Sequence, residues 1–166
     1  MKIFITGEIG VGKSTVANMI VELLGKSIAG FATVRVENGF DIVDLKDSVR
    51  APIARKNEKG EFTVFLDGFE KLGVEALEKA ANEDDCVVLM DEIGRFEIKA
   101  GNFTRKVIEL ILSNKPVVAV IKYEENPFLE LVRRISAFHL FKVTRENRDR
   151  LPYDIVEFVR KDWLQL

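Results

Sequence analysis

The sequence predicts an α/β fold built on a mostly parallel sheet, and three observations lead there. Short β-branched or aromatic runs alternate with helix-periodic segments from end to end. Two of those runs, Cys86 to Met90 and Val117 to Ile121, are continuously apolar, as strands covered by helices on both faces should be. The first run, Lys2 to Thr6, leads straight into a glycine-rich loop and then a helical pattern. At 166 residues, 47% hydrophobic and 31% charged, the chain suits a single domain over 1–166 with a sizeable core.

After the loop, Val16, Met19, Ile20, Leu23 and Leu24 fall at helical offsets, and Gly25 can end the helix. Ile28 to Val36 and Phe40 to Leu45 read as two strands joined through Asn38-Gly39, a pair suited to the positive φ angles of a tight hairpin. A second hairpin is expected around Lys56 to Gly60, with Phe62 to Leu66 returning. Asp67 followed by Glu70 has the form of a capping box, and Phe69, Leu72, Ala76, Leu77 and Ala80 make the buried stripe of a helix reaching Asn82. Phe103, Val107, Leu110 and Ile111 describe another helical face between the two central strands. A helix over Phe128 to Ile135, a fifth core strand over Leu140 to Val143 and a helix from Pro152 to Trp163 complete the chain.

The loop Gly7-Glu8-Ile9-Gly10-Val11-Gly12-Lys13-Ser14 carries the chemistry. Three glycines let successive backbone N–H groups curl around one anion, and the following helix adds its positive end. Lys13 is the cation expected to reach the β- and γ-phosphates of a nucleoside triphosphate; Ser14 is a Mg²⁺ ligand, and Thr15 contacts the α-phosphate or caps locally. A random chain of this length carries the pattern roughly once in two hundred. Asp91-Glu92 closes the strand from Cys86, a Walker B pattern. Asp91 is expected to hold Mg²⁺ directly or through water, while Glu92, pointing to the other side of the extended chain, orients or deprotonates an attacking water. Adjacent Asp-Glu favours the hydrolase branch of P-loop NTPase folds. The expected architecture is thus a three-layer sandwich on a RecA-like sheet of order 5-1-4-3-2, counting the two early strands as 1 and 2, with antiparallel hairpin additions. Lys122, ending the inserted strand, either senses the γ-phosphate or is solvated, and solvation is the expectation.

Lys and Arg total 25 against 27 Asp and Glu, a net charge of -2, so no overall basic field points to nucleic acid. No apolar run approaches the ~18 residues of a membrane span, and a loop starting at Gly7 leaves no room upstream for a cleavable signal. A cytoplasmic monomer without a membrane partner is expected. Cys86 is expected to be buried, and His139, with no acidic or cysteine cluster beside it, to be packed or at the surface rather than on zinc. Arg133, Arg134 and Arg150 read as exposed helix charges, and Phe62, Phe65, Phe69 and Phe96 as core more than as a nucleotide-covering patch.

Five stretches together resemble the small cancer-related nucleoside-triphosphatase family. They are Gly7 to Thr15, the hairpin Gly30 to Thr33 with Asn38 to Val43, Phe69 to Leu72, Asp91 to Ile98 and Val143 to Arg148. The resemblance spans nearly the whole chain. It implies Mg²⁺-dependent hydrolysis of ATP, GTP and other nucleoside triphosphates to diphosphate and phosphate, with broad base tolerance. Under it Glu92 is the acidic residue after the Walker B aspartate, and Arg95 the basic residue of the next loop, placed to neutralise γ-phosphate charge. The first hairpin departs from the family pattern, having only Val36-Glu37-Asn38 where relatives usually carry a longer turn, so any contact made there is either lacking in this chain or replaced by Arg35. Asn147 and Arg148 follow the last strand, where ligand contacts are expected; Arg148 can stack on any base, and Asn147 can contact it or cap the last helix. Two other functions fit the loop: a nucleoside or nucleotide kinase, and a nucleotide-gated binding module.

Overall fold

Ile3 and Ile5 point to one side of the first strand and Phe4 to the other, and all three are fully buried. Such a strand needs cover on both faces. In the computed structural model, which describes residues 1–135 and 138–163, that cover is two layers of helices around one sheet. The strands are β1 (Lys2–Gly7), β2 (Ser27–Val36), β3 (Gly39–Asp44), β4 (Arg50–Lys56), β5 (Phe62–Val64), β6 (Cys86–Ile93), β7 (Val117–Ile121) and β8 (His139–Val143). The helices are α1 (Lys13–Leu24), α2 (Val74–Asn82), α3 (Gly101–Leu112), α4 (Pro127–Arg134) and α5 (Leu151–Trp163). Val16, Ile20, Ile155 and Val159 of α1 and α5 pack on Ile3, Ile5, Val87 and Val120. Leu77, Phe103, Leu129 and Val132 of α2, α3 and α4 pack on Phe4, Val88, Met90 and Ile121. Each fully buried Phe, Ile or Leu contributes about 1.5–3 kcal/mol.

The sheet is mixed and eight-stranded, in the order β5-β4-β3-β2-β6-β7-β1-β8. The run β2-β6-β7-β1-β8 is parallel throughout, and the expected order 5-1-4-3-2 describes only that half. The antiparallel meander β2-β3-β4-β5 adds three strands, so "mostly parallel" understates the hairpins. Short connections such as Glu37-Asn38 between β2 and β3 permit only antiparallel return. β8 is an edge rather than a core strand; Leu140 is half exposed, and His139 packs edge-on against Phe158 at 4.7 Å. Cys86 is buried at the start of β6.

Two local expectations give way to tertiary context. Among the described residues other than glycine, positive φ occurs at Ser48 and Asp85, so Asn38 turns the first hairpin without it. Gly39 does take a positive φ, 157°, and a Cβ there would also collide with the Ala54 carbonyl oxygen of β4. Asp67 makes no side-chain cap. It pairs with Lys71 at 2.7 Å, while Glu70 Oε1 accepts from the Asn102 N–H at 3.1 Å, across to α3. The segment Gly68–Gly73 enters α2 as a π-helical turn, and Phe69 and Leu72 still face the core. Among the described residues no helix is long and apolar enough to cross a membrane.

Candidate active site

β1 ends at Gly7, which is paired with Val143 of the neighbouring parallel strand β8. A Cβ on Gly7 would lie 2.6 Å from the Val143 carbonyl oxygen, and its φ of 152° is one that side chains resist. Gly10 and Gly12 adopt left-handed φ of 76° and 103°, which curls the loop before α1 begins at Lys13. Val11 is buried and anchors the loop, while Glu8 and Ile9 are exposed, Ile9 at 89%. The N–H groups of the first turn of α1 are therefore presented at the carboxyl edge of the sheet.

Lys13 is 7% exposed and folds back over this loop. Its Nζ donates to the carbonyls of Gly7 at 3.1 Å and Glu8 at 3.0 Å, and lies 3.5 Å from Glu92 Oε2. The Ser14 hydroxyl donates to Asp91 Oδ1 at 3.0 Å. Two contacts thus tie the loop to the end of β6, across the intervening β7. Asp91 is 6% exposed, and burial pushes its carboxyl up to about 6 against the opposing pull of the Ser14 hydrogen bond.

Asp91 and Glu92 both reach the loop, so the alternation that would send Glu92 to the opposite side does not hold. The reason is a bulge: Asp91 pairs with Val120 and Ile93 with Ile121, which leaves Glu92 as the extra residue on β6. Bulges of this kind re-aim side chains beside active sites. The Asp91–Glu92 peptide is cis.

Around Glu92 a cleft of about 560 Å³ opens, lined on one side by Gly10, Gly12, Lys13 and Ser14. Arg35, Phe40, Phe62, Arg95 and Lys122 line the other. Arg95 is exposed and stacks on Phe96 at 5.1 Å and Phe62 at 5.9 Å. Four cations therefore face one carboxylate, a field that suits a polyanion. Lys122 is partly buried in this wall rather than merely solvated; its N–H bonds the Ile93 carbonyl at 2.9 Å, which holds the ends of β6 and β7 together.

The chain as a whole also matches known proteins. A family model described as NTPase matches residues 2–156. The chain belongs to the NTPase family. It is 33% identical over 170 residues to nucleoside-triphosphatase THEP1 of Thermotoga sp. (strain RQ2), with 96% of each chain covered. To the protein of that name in Methanocaldococcus jannaschii it is 33% identical over 169 residues, covering 94% of this chain and 95% of the other. The crystal structure of THEP1 from the hyperthermophile Aquifex aeolicus superposes with a TM-score of 0.83 at 35% identity, covering 95% of this chain and 98% of that one.

Within this NTPase framework the last strand's loop meets the phosphate loop from the other flank. The Arg148 Cδ lies 3.7 Å from where a Cβ on Gly12 would stand. Asn147 is occupied by the turn itself: its Oδ1 accepts from the Thr144 N–H at 2.8 Å and its Nδ2 donates to the Lys142 carbonyl at 2.9 Å. It shapes the turn that carries Arg148. Thr15 is exposed at the first turn of α1. Phe69 is core, whereas Phe40, Phe62 and Phe96 cluster at 5.2–5.7 Å, and Phe40 and Phe62 form part of the cleft wall.

Sequence reading missed Glu97. This carboxyl is 3% exposed, accepts from the Gly94 N–H, and is pushed up to about 7 by burial. With Asn126 Nδ2 donating to the Gly94 carbonyl at 3.1 Å, Gly94 is gripped on both sides, which steadies the segment between Glu92 and Arg95. Its sequence signal was one glutamate between Phe96 and Ile98, in a 3-10 turn over Phe96–Lys99.

Proposed function

We propose that the chain, as one domain over 1–166 with a RecA-like parallel half, hydrolyses nucleoside triphosphates to the diphosphate and phosphate. The observation that carries this reading is the joining of the phosphate loop to Asp91-Glu92 through the Ser14–Asp91 contact at 3.0 Å and the Lys13–Glu92 contact at 3.5 Å. The loop N–H groups from Gly7 to Thr15 and the positive end of α1 bind the phosphates. Lys13 exchanges its two backbone carbonyls for phosphate oxygens of higher charge. Glu92, partly open to solvent, accepts a hydrogen bond from a water and takes its proton. The water oxygen bonds to the γ-phosphorus, the bond from that phosphorus to the bridging β–γ oxygen breaks, and the electron pair stays with the diphosphate. Lys13, Arg95 and Lys122 stabilise the charge on the leaving and equatorial oxygens. Arg35 supplies a further cation from the end of the shortened hairpin.

Ser14 and Asp91 suit Mg²⁺: both are oxygen donors, they already meet at 3.0 Å, and a buried carboxylate gains most from a cation beside it. Bound there, the ion would offset charge on the β- and γ-phosphate oxygens. Arg148 contacts the base through its planar guanidinium on a turn shaped by Asn147, a stacking contact that would discriminate little between bases. Purified chain given Mg-ATP or Mg-GTP should release inorganic phosphate with no acceptor added. Phosphate release that appears only when a nucleoside or nucleotide acceptor is supplied would replace this reading with that of a kinase.

A further inference from the structure

Arg95 lines the phosphate cleft from an exposed position just past the end of β6, where a long side chain has many directions open to it. Its backbone has few. Gly94, the residue before it, is buried with both polar groups taken: the N–H donates to Glu97, and the carbonyl accepts from Asn126 Nδ2 at 3.1 Å. The Gly94 carbonyl and the Arg95 N–H share one rigid peptide plane, so whatever holds that oxygen sets the direction in which Arg95 leaves the strand end. A Cβ on Gly94 would stand 3.3 Å from Lys122 Cδ, so the stem of a second cleft cation lies across the same residue.

Asn126 is itself firmly founded. It is the N-cap of α4, where its Oδ1 accepts from the Leu129 N–H at 2.8 Å, and Pro127 follows at the first helical position. Leu129 and Val132 are fully buried and seat α4 in the core. With Oδ1 committed to the helix, Nδ2 is the atom left for Gly94. Asp and Ser cap helices about as well as Asn. A carboxylate cannot donate to a carbonyl, however, and a serine side chain ends one bond short of the amide nitrogen. The cap fits any of the three residues; the bond to Gly94 needs asparagine. From the same helix Arg133 Nη2 donates to the Lys122 carbonyl at 3.1 Å. α4 therefore holds the backbone behind both Arg95 and Lys122, although neither Asn126 nor Arg133 lines the cleft.

We propose that Asn126 is a positioning residue for the reaction, fixing the Gly94–Arg95 peptide so that the Arg95 guanidinium meets the charge developing on the transferring phosphoryl group. This role rests on the hydrolytic reading of the cleft and goes beyond it, extending the machinery to the first residue of a helix outside the cleft.

Asn126→Ser keeps the cap and removes the donor, and Asn126→Asp does the same with a charge added. In both, Tm should fall by no more than about 2–4 °C. The KM for Mg-ATP should stay within ~3-fold while kcat falls ~5–50-fold. In a chain already carrying Arg95→Met, Asn126→Ser should lower kcat by no more than a further ~2-fold, because the group it positions is gone. A kcat equal to that of the wild type in both single variants, or the same fold-loss with and without Arg95, overturns the proposal. Affinity for ADP with aluminium fluoride, which mimics the phosphoryl group in transfer, should fall along with kcat while affinity for a nonhydrolysable triphosphate holds. Equal loss of both affinities would make Asn126 a structural residue only and likewise overturn the proposal. A wild-type chain that releases no phosphate from Mg-ATP defeats the hydrolytic reading instead, and the ratio of those two affinities still decides the role of Asn126.

Discussion

Glu97→Gln should make the protein more stable above about pH 4.5, by an amount that grows until about pH 7 and then levels off. The Glu97 carboxyl is buried and pushed from 4.5 up to about 7, burial being the largest cause and the Gly94 hydrogen bond opposing it. Between those values the folded chain keeps a proton that the unfolded chain releases. The contribution of this group is therefore fully present below about pH 4.5 and is lost as pH rises through about 7. Two and a half pK units correspond to about 3 kcal/mol. A glutamine keeps an oxygen for the Gly94 N–H and cannot ionise, so the variant escapes that loss. For a chain of this size the difference in Tm, variant minus wild type, should grow by roughly 6–12 °C between pH 4.5 and 8.5. Thermal melts followed by circular dichroism across that range read it directly. Asp91 titrates in the same window but in both proteins, so it cancels from the difference. Melting curves that stay parallel at every pH would show that Glu97 does not hold its proton in the folded state.

Gly7→Ala should cost about 2–5 kcal/mol in urea denaturation, since the new Cβ meets the rigid Val143 carbonyl oxygen at 2.6 Å. Asn147→Ala should cost about 1–2 kcal/mol through its two lost turn hydrogen bonds, with the ratio of ATP to GTP turnover unchanged. Lys122→Met should lower kcat ~10–1000-fold while the affinity for a nonhydrolysable triphosphate stays within a few-fold, as measured by phosphate release and by equilibrium binding.

The parts of the molecule legible in the sequence are those whose cause is local. Gly7, Gly10 and Gly12 announce a curled backbone, and Lys13-Ser14 say what it curls around. Cys86 to Met90 and Val117 to Ile121 are apolar without a break because both sheet faces are covered, and Leu77 and Phe103 keep helical spacing because one face of each helix is covered. What was hidden depends on a neighbour distant in the chain. Gly39 is glycine because of Ala54, and Glu70 serves Asn102 rather than its own helix end. Glu92 joins Asp91 on the loop side because β6 carries one residue more than β7 at that point, which no pattern in either strand displays. Lys122 and Glu97 look like ordinary surface charges until the ends of β6 and β7 are set beside the phosphate loop.

The central claim is that Glu92, brought to the phosphate loop beside Lys13, activates the attacking water. Single-turnover hydrolysis of Mg-ATP by Glu92→Gln, with triphosphate affinity measured on the same preparation, tests it most directly. Phosphate release slower by at least ~100-fold, with affinity held within a few-fold, is the predicted result. A rate equal to that of the wild type would contradict it and move the base to another group of the cleft.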